Sequence, residues 1–162
     1  MMKRIHKPYL FFLLWNVLMV GGVHISTIQH EPGRGVSGNG NLGLLVLFPS
    51  ILTFIILCIW TMTLTRRWLN DHRDRSGPMY ALIPIVAILL CGLFIFMEVQ
   101  FIHNLGEQLN GYTNDPDSAV YRFGWVNQYT NTLYYNFPIL LFGLSFSIFI
   151  GWIMERILQN RS

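Results

Sequence analysis

Residues 80–107 read YALIPIVAILLCGLFIFMEVQFIHNLGE, and this stretch decides the class of fold. Its apolar part is long enough to cross the roughly 30 Å hydrocarbon core of a bilayer as a single helix. Near its far end it carries Glu98, Gln100 and His103, polar groups that lipid excludes unless a partner satisfies them. The stretch therefore predicts a membrane span and also marks where a functional site is first sought.

The composition extends this prediction to the whole chain. Of the 162 residues, 52% are hydrophobic and 12% are charged, which is too apolar for a water-soluble domain of this size. The formal net charge of +3 does not indicate a nucleic-acid partner, because the basic residues flank apolar runs and form no continuous stripe. The lipid bilayer is the expected environment.

Apolar length alone predicts four spans, at residues 8–28, 42–65, 80–103 and 137–154. The first span follows a basic start, as a signal-peptide core does, but it is longer than such a core and contains Asn16 and His24. We therefore expect it to be retained. The predicted fold is an all-α integral membrane protein, with residues 1–162 forming one membrane domain whose four helices make an up-down bundle.

Lysine and arginine are divided unequally between the two sides of this bundle. Nine lie in the N-terminal segment, the connection 66–79 and the C-terminal tail, whereas only Arg34 and Arg122 lie in the connections 29–41 and 104–136. Because positive residues collect on the cytoplasmic side, both termini and the middle connection are predicted to be cytoplasmic. We expect a multi-pass protein of the cell (cytoplasmic or inner) membrane, with the other two connections facing outward.

Polar residues in and beside the spans define a candidate site. Glu98 shares a helical face with Pro84 and Cys91, so its partner must come from another helix. We predict a polar pocket near the outer surface, built from Glu98, His24, His103, Gln100 and Asn16, with His30, Glu31 and Glu107 nearby. A transporter or channel component would use such a pocket as an ion or solute path.

Counting depth supports a second interpretation of the same residues. At 1.5 Å per residue, Glu98 lies within about 3 Å of the outer boundary of the hydrocarbon core. A carboxylate at that depth reaches headgroup water. Glu98 and the histidines would then simply form hydrogen bonds between helices or with interfacial water.

Several cofactor hypotheses use these residues. His24 and His103, on different spans, would serve as axial haem ligands in a redox subunit, and such a subunit would alternatively bind a quinone. Imidazole and carboxylate at His24, Glu98 and His103 would suit a divalent metal. None of these has a spacing signature, so the leading expectation is no cofactor. No nucleophile with an adjacent base, phosphate-binding loop or metalloprotease motif occurs, which argues against an enzyme.

The fourth span carries Gly143, Ser147 and Gly151 at four-residue spacing. A ridge of small residues lets another helix backbone approach closely. We favour packing within the chain's own bundle, while packing against a second membrane protein stays open.

The long outer connection contains aromatic residues in a regular pattern. Residues 114–118, NDPDS, are predicted to start a helix, with an Asx cap and Pro116 at the first helical position. Tyr121, Trp125 and Tyr129 follow at steps of four and would form one aromatic stripe on that helix. Aromatic residues also recur at every second position in this segment, which is the spacing of one face of a strand, so a strand over 116–133 stays open. We interpret the segment as a short amphipathic helix that is either a partner-recognition surface or an interfacial lid.

The expected function follows from this inventory. We expect a non-enzymatic accessory, regulatory or immunity-type membrane protein that acts through helix packing and through its outer aromatic loop. Immunity proteins against pore-forming toxins share the layout of four spans with internal termini, as do many unrelated membrane proteins. The alternatives are a transporter or channel component that uses Glu98, and a haem- or quinone-binding redox subunit.

Overall fold

The protein is described from a computed structural model that covers residues 6–30, 40–72 and 77–160, apart from the side chains of His6, Pro78 and Met79. Glu31 and Arg34 lie outside these residues. Within the described ranges the chain is helical and contains no strand. The elements are α1 (His6–Ser26), α2 (Leu44–Asp71), α3 (Gly77–Gln108), α4 (Ala119–Phe123), a 3-10 turn (Asn131–Leu133) and α5 (Phe137–Gln159).

Four of these helices, α1, α2, α3 and α5, are long and apolar enough to cross a membrane, which confirms the all-α, four-span prediction. The helices run further than the predicted spans. α2 continues to Asp71 and α3 to Gln108. The length of an apolar run marks only the part of a helix that crosses the hydrocarbon core. The helix itself can continue beyond that part, where its polar side chains reach headgroups and water.

The four helices pack in the order α1, α2, α5, α3. α1 and α2 are antiparallel, because Tyr9 Oη lies 2.9 Å from Thr61 Oγ1 at one end and Gly22 lies against Val46 at the other. α3 and α5 are also antiparallel, since Trp152 Nε1 donates to the Tyr80 carbonyl at 3.0 Å while the start of α5 lies beside Glu98. Four helix termini therefore meet at one end of the molecule, here called the terminal end.

The opposite end, here called the loop end, consists of residues 26–30, 40–43 and 109–136. It has a small apolar cluster of its own, formed by Leu109, Ala119, Val120 and Tyr129. The main core lies between α1, α2 and the start of α5, and its buried members are Val20, Val23, Leu47, Leu57, Tyr135 and Leu140. Many other large apolar side chains on the four long helices are exposed, as lipid-facing residues are.

The small-residue ridge of α5 faces α2. A Cβ atom on Gly143 would come within 3.1 Å of Cys58 Sγ, and one on Gly151 would come within 2.7 Å of the Met62 carbonyl oxygen. The Ser147 hydroxyl between them donates to the Gly143 carbonyl at 2.7 Å. The ridge is therefore used inside the molecule and is not free to receive a second protein.

Candidate functional site

Glu98 obtains its partner from the start of α5. Asn136 Nδ2 donates to Glu98 Oε2 at 2.8 Å and to the Thr132 carbonyl at 3.1 Å. Asn136 is also the N-cap of α5, because its Oδ1 accepts from the Ile139 backbone N–H at 2.9 Å. One amide thus both starts α5 and joins it to the half-buried carboxyl group of α3.

Asn16 lies in a separate polar group, fully buried between α1, α2 and α5. Tyr135 Oη donates to Asn16 Oδ1 at 2.7 Å, and Thr53 Oγ1 lies 3.5 Å from the same oxygen. The amide nitrogen of Asn16 donates to the Phe12 carbonyl at 2.9 Å. This arrangement satisfies the amide inside an apolar core and fixes how the helices meet.

The histidines do not join these groups. His103 Nδ1 lies 3.7 Å from Glu107 Oε1, one turn along the same helix, and both side chains are exposed. His30 Nε2 lies 3.2 Å from Asn110 Nδ2 in the loop end. His24 and Gln100 are exposed. Within the described ranges, no three His, Cys, Asp or Glu side chains are close enough to hold a metal ion. The predicted single pocket is therefore divided among several places.

A cleft of about 390 Å³ opens between α1 and α3 close to the Glu98–Asn136 pair. Its walls are Val20, Gly21 and His24 on one side and Phe101 on the other. The chain from Thr132 to Pro138 forms its floor. Tyr135 and Asn136 therefore hold the helices together and also border the cleft.

The outer aromatic segment begins differently from its prediction. The helix cap is Ser118 and not an Asx residue before Pro116: Ser118 Oγ accepts from the backbone N–H groups of Val120 and Tyr121 at 3.1 and 3.4 Å. The Asp115 side chain instead accepts from the Tyr112 N–H and closes a turn before the helix. Because of this turn, α4 starts at Ala119, three residues after Pro116, the predicted first helical position.

The predicted single aromatic stripe is wrong in its geometry. α4 ends at Phe123, since Gly124 has a φ of +71° that a helix cannot continue through. Tyr121 and Trp125 are 56% and 43% exposed, whereas Tyr129 is 6% exposed, with its ring centroid 5.5 Å from that of His30. Tyr129 therefore belongs to the interior of the loop end.

Residues 121–131, from α4 into the segment after it, include buried polar and exposed apolar side chains. Asn127, Gln128, Thr130 and Asn131 are buried, whereas Tyr121, Phe123, Trp125 and Val126 are exposed. We call the latter four the aromatic surface. Asn127 binds the Gly124 carbonyl and the Tyr129 N–H, and Asn131 forms a reciprocal amide pair with Asn41 at 2.7 and 2.9 Å. A framework of hydrogen bonds thus supports the backbone beside the aromatic surface.

Replacing Glu98 with leucine is expected to lower the free energy of unfolding in detergent by about 0.5–1.7 kcal/mol, the range for one hydrogen bond between membrane helices. Glu98→Gln keeps an oxygen that can accept from Asn136 and should lose less. Reversible unfolding followed by circular dichroism measures both variants. The transporter alternative predicts instead a proteoliposome flux that Glu98→Gln changes while stability is retained.

Sequence reasoning missed Tyr135, Asn136 and Thr132 as members of the site. One signal was available, because Asn136 stands two residues before Pro138 at the start of an apolar run, which is typical of a helix N-terminus. No protein-family model, curated protein or solved structure matches the chain.

Proposed function

We propose that this is a small accessory protein of the cytoplasmic (inner) membrane, regulatory or immunity-type and without catalytic activity, which binds a membrane-protein partner through its aromatic surface. Both termini would be cytoplasmic and the loop end would face outward. The observation that carries the proposal is the burial at residues 121–131, where polar side chains are buried and large apolar ones are exposed. A surface of exposed aromatic residues over a buried polar framework is typical of binding sites and unusual for a simple linker.

The charge distribution supports the outward orientation of that surface. The N-terminus, the 66–79 connection and the C-terminal tail carry nine of the eleven Lys and Arg residues of the chain. These segments adjoin the terminal end, so the positive-inside rule would put that end in the cytoplasm. The aromatic surface would then be available to an integral membrane partner or to a partner that approaches from outside.

The small-residue ridge contributes to this function indirectly. Gly143 and Gly151 lie against α2, so the ridge holds the bundle together and leaves partner binding to the loop end. This changes the expected mode of action, because only one of the two predicted interaction surfaces is free.

Changing Tyr121 and Trp125 together to alanine is expected to weaken partner binding at least about tenfold, since buried aromatic anchors dominate interface energies. A photoreactive phenylalanine at Val126 in native membranes would give one protein adduct in the wild-type background. The double variant should lose that adduct. Its melting temperature should be unchanged, because both side chains are exposed.

Phe11→Ala is the matched control, since Phe11 is an exposed aromatic residue near the start of α1, at the terminal end of the molecule. It should retain the adduct. The proposal fails if the probe at Val126 reacts only with lipid, or if the double variant keeps both the adduct and the phenotype of the wild type. Tyr129 is left out of the test because it is buried, and its substitution would disturb the loop end itself.

A further inference from the structure

The cleft between α1 and α3 has a structural origin. α1 packs mainly on α2, and α3 packs mainly on α5, so the two outer helices leave a gap beside the start of α5. Gly21 keeps the gap open, because a Cβ atom at this position would meet nothing within 4 Å. The volume of about 390 Å³ falls within the range of small-molecule sites.

The depth of the cleft selects a lipid-soluble occupant. Phe101 lies 21 residues after Tyr80, about 31 Å along α3, which places the cleft at the boundary of the hydrocarbon core. Aromatic rings of Phe101, Tyr135 and Phe137 line it. A flat ring can stack between such side chains, and an apolar tail can leave sideways into lipid.

One buried polar group in the cleft has no hydrogen-bond partner among the described residues. Thr132 is 7% exposed and lines the floor, and its hydroxyl forms no hydrogen bond within residues 6–30, 40–72 and 77–160. A buried hydroxyl without a partner costs about 1–3 kcal/mol, so this group indicates a missing hydrogen-bond acceptor. His24 at the rim adds an imidazole that likewise forms no hydrogen bond to the described part of the chain.

The charges of the residues that line the cleft favour a neutral lipid-soluble ligand over a phospholipid. Among the described residues, neither Lys nor Arg lines the cleft, and the Glu98 carboxyl group is held by Asn136, one of the lining residues. A phosphate headgroup would have no cation to pair with and would lie near a carboxylate. A neutral ring with carbonyl oxygens instead accepts hydrogen bonds from Thr132 and His24.

From these observations we infer that the cleft binds one molecule of a prenylated quinone. The ring lies between Phe101 and the floor, with a carbonyl oxygen accepting from the Thr132 hydroxyl. The tail leaves between α1 and α3 into the bilayer. The inference concerns binding and includes no electron transfer, and it is independent of the partner that the aromatic surface would bind.

The test uses the full chain in phosphatidylcholine nanodiscs and a photoreactive azidoquinone with a decyl tail as the probe. Labelling should be saturable, should be displaced by decylubiquinone and should map to residues 20–24, 101 or 132–138. Gly21→Leu fills the cleft and should weaken binding at least about tenfold. Gly92→Leu is the matched control, because its Cβ also meets nothing within 4 Å but lies outside the cleft lining, and it should bind as the wild type does.

A second pair of variants keeps the test decisive if Gly21→Leu does not fold. Thr132→Val removes the hydroxyl at constant shape and should weaken binding about five- to tenfold, the loss of one hydrogen bond. Thr132→Ser retains the hydroxyl and should bind within about twofold of the wild type. The inference is overturned if labelling does not saturate, if Thr132→Val and Thr132→Ser bind equally, or if the cleft holds a phospholipid that decylubiquinone does not displace.

Discussion

Gly151→Ala is expected to lower the free energy of unfolding by about 1–3 kcal/mol, the cost of overpacking a close contact. The added Cβ would lie 2.7 Å from the Met62 carbonyl oxygen and 3.0 Å from Thr65 Cβ. A backbone oxygen cannot rotate away as a side chain can, so α2 and α5 must separate along this contact. Unfolding in mixed micelles, followed by circular dichroism, measures the loss.

Gly92→Ala is the matched control for this substitution. Gly92 lies in α3, and a Cβ atom there would meet nothing within 4 Å, so alanine should leave stability unchanged or raise it by up to about 1 kcal/mol. Equal stabilities for Gly151→Ala and Gly92→Ala would mean that α2 and α5 do not approach each other at Gly151.

The second large effect is expected at Asn16 and Tyr135. Removing the hydroxyl in Tyr135→Phe leaves the buried Asn16 side-chain oxygen, among the described residues, with only the 3.5 Å contact to Thr53, which should cost about 1–3 kcal/mol. Asn16→Leu leaves the Tyr135 hydroxyl with the Asn16 backbone carbonyl at 3.5 Å and should cost a similar amount. Thermal unfolding in detergent measures both changes.

The double variant Asn16→Leu with Tyr135→Phe distinguishes the loss of this hydrogen bond from a simple loss of packing. Once both side chains of this pair are replaced, neither one leaves the other as an unpaired buried polar group, so the double variant should be more stable than the sum of the two single losses indicates. The coupling should be about 0.6–1.7 kcal/mol, as for hydrogen bonds between membrane helices. Strict additivity would show that the two side chains do not interact.

Much of the fold is predictable from the sequence, because a bilayer imposes a simple length rule. Apolar runs locate α1, α2, α3 and α5, since each must satisfy its own backbone inside lipid. Their ends are less predictable. α2 and α3 continue through charged and polar residues, where the hydrocarbon no longer limits composition and the helix ends only at a local turn signal.

The contacts of the candidate site are harder to predict. The sequence shows that Glu98 needs a partner from another helix, but which residue supplies it depends on the packing of α3 against α5. Tyr129 and Trp125 look equivalent at a spacing of four. Only the positive φ of Gly124 and the hydrogen bonds of Asn127 turn one inward and leave the other exposed.

Partner binding at the aromatic surface, as proposed, requires the loop end to face outward from the cell. It is tested most directly with single cysteines at Thr113 and Asp71, two exposed residues at opposite ends, after Cys58 and Cys91 are replaced by alanine. A membrane-impermeant maleimide should label Thr113→Cys in intact cells and Asp71→Cys only after permeabilisation. Labelling of Asp71→Cys in intact cells, with Thr113→Cys protected, would contradict the proposed orientation and with it the proposed function.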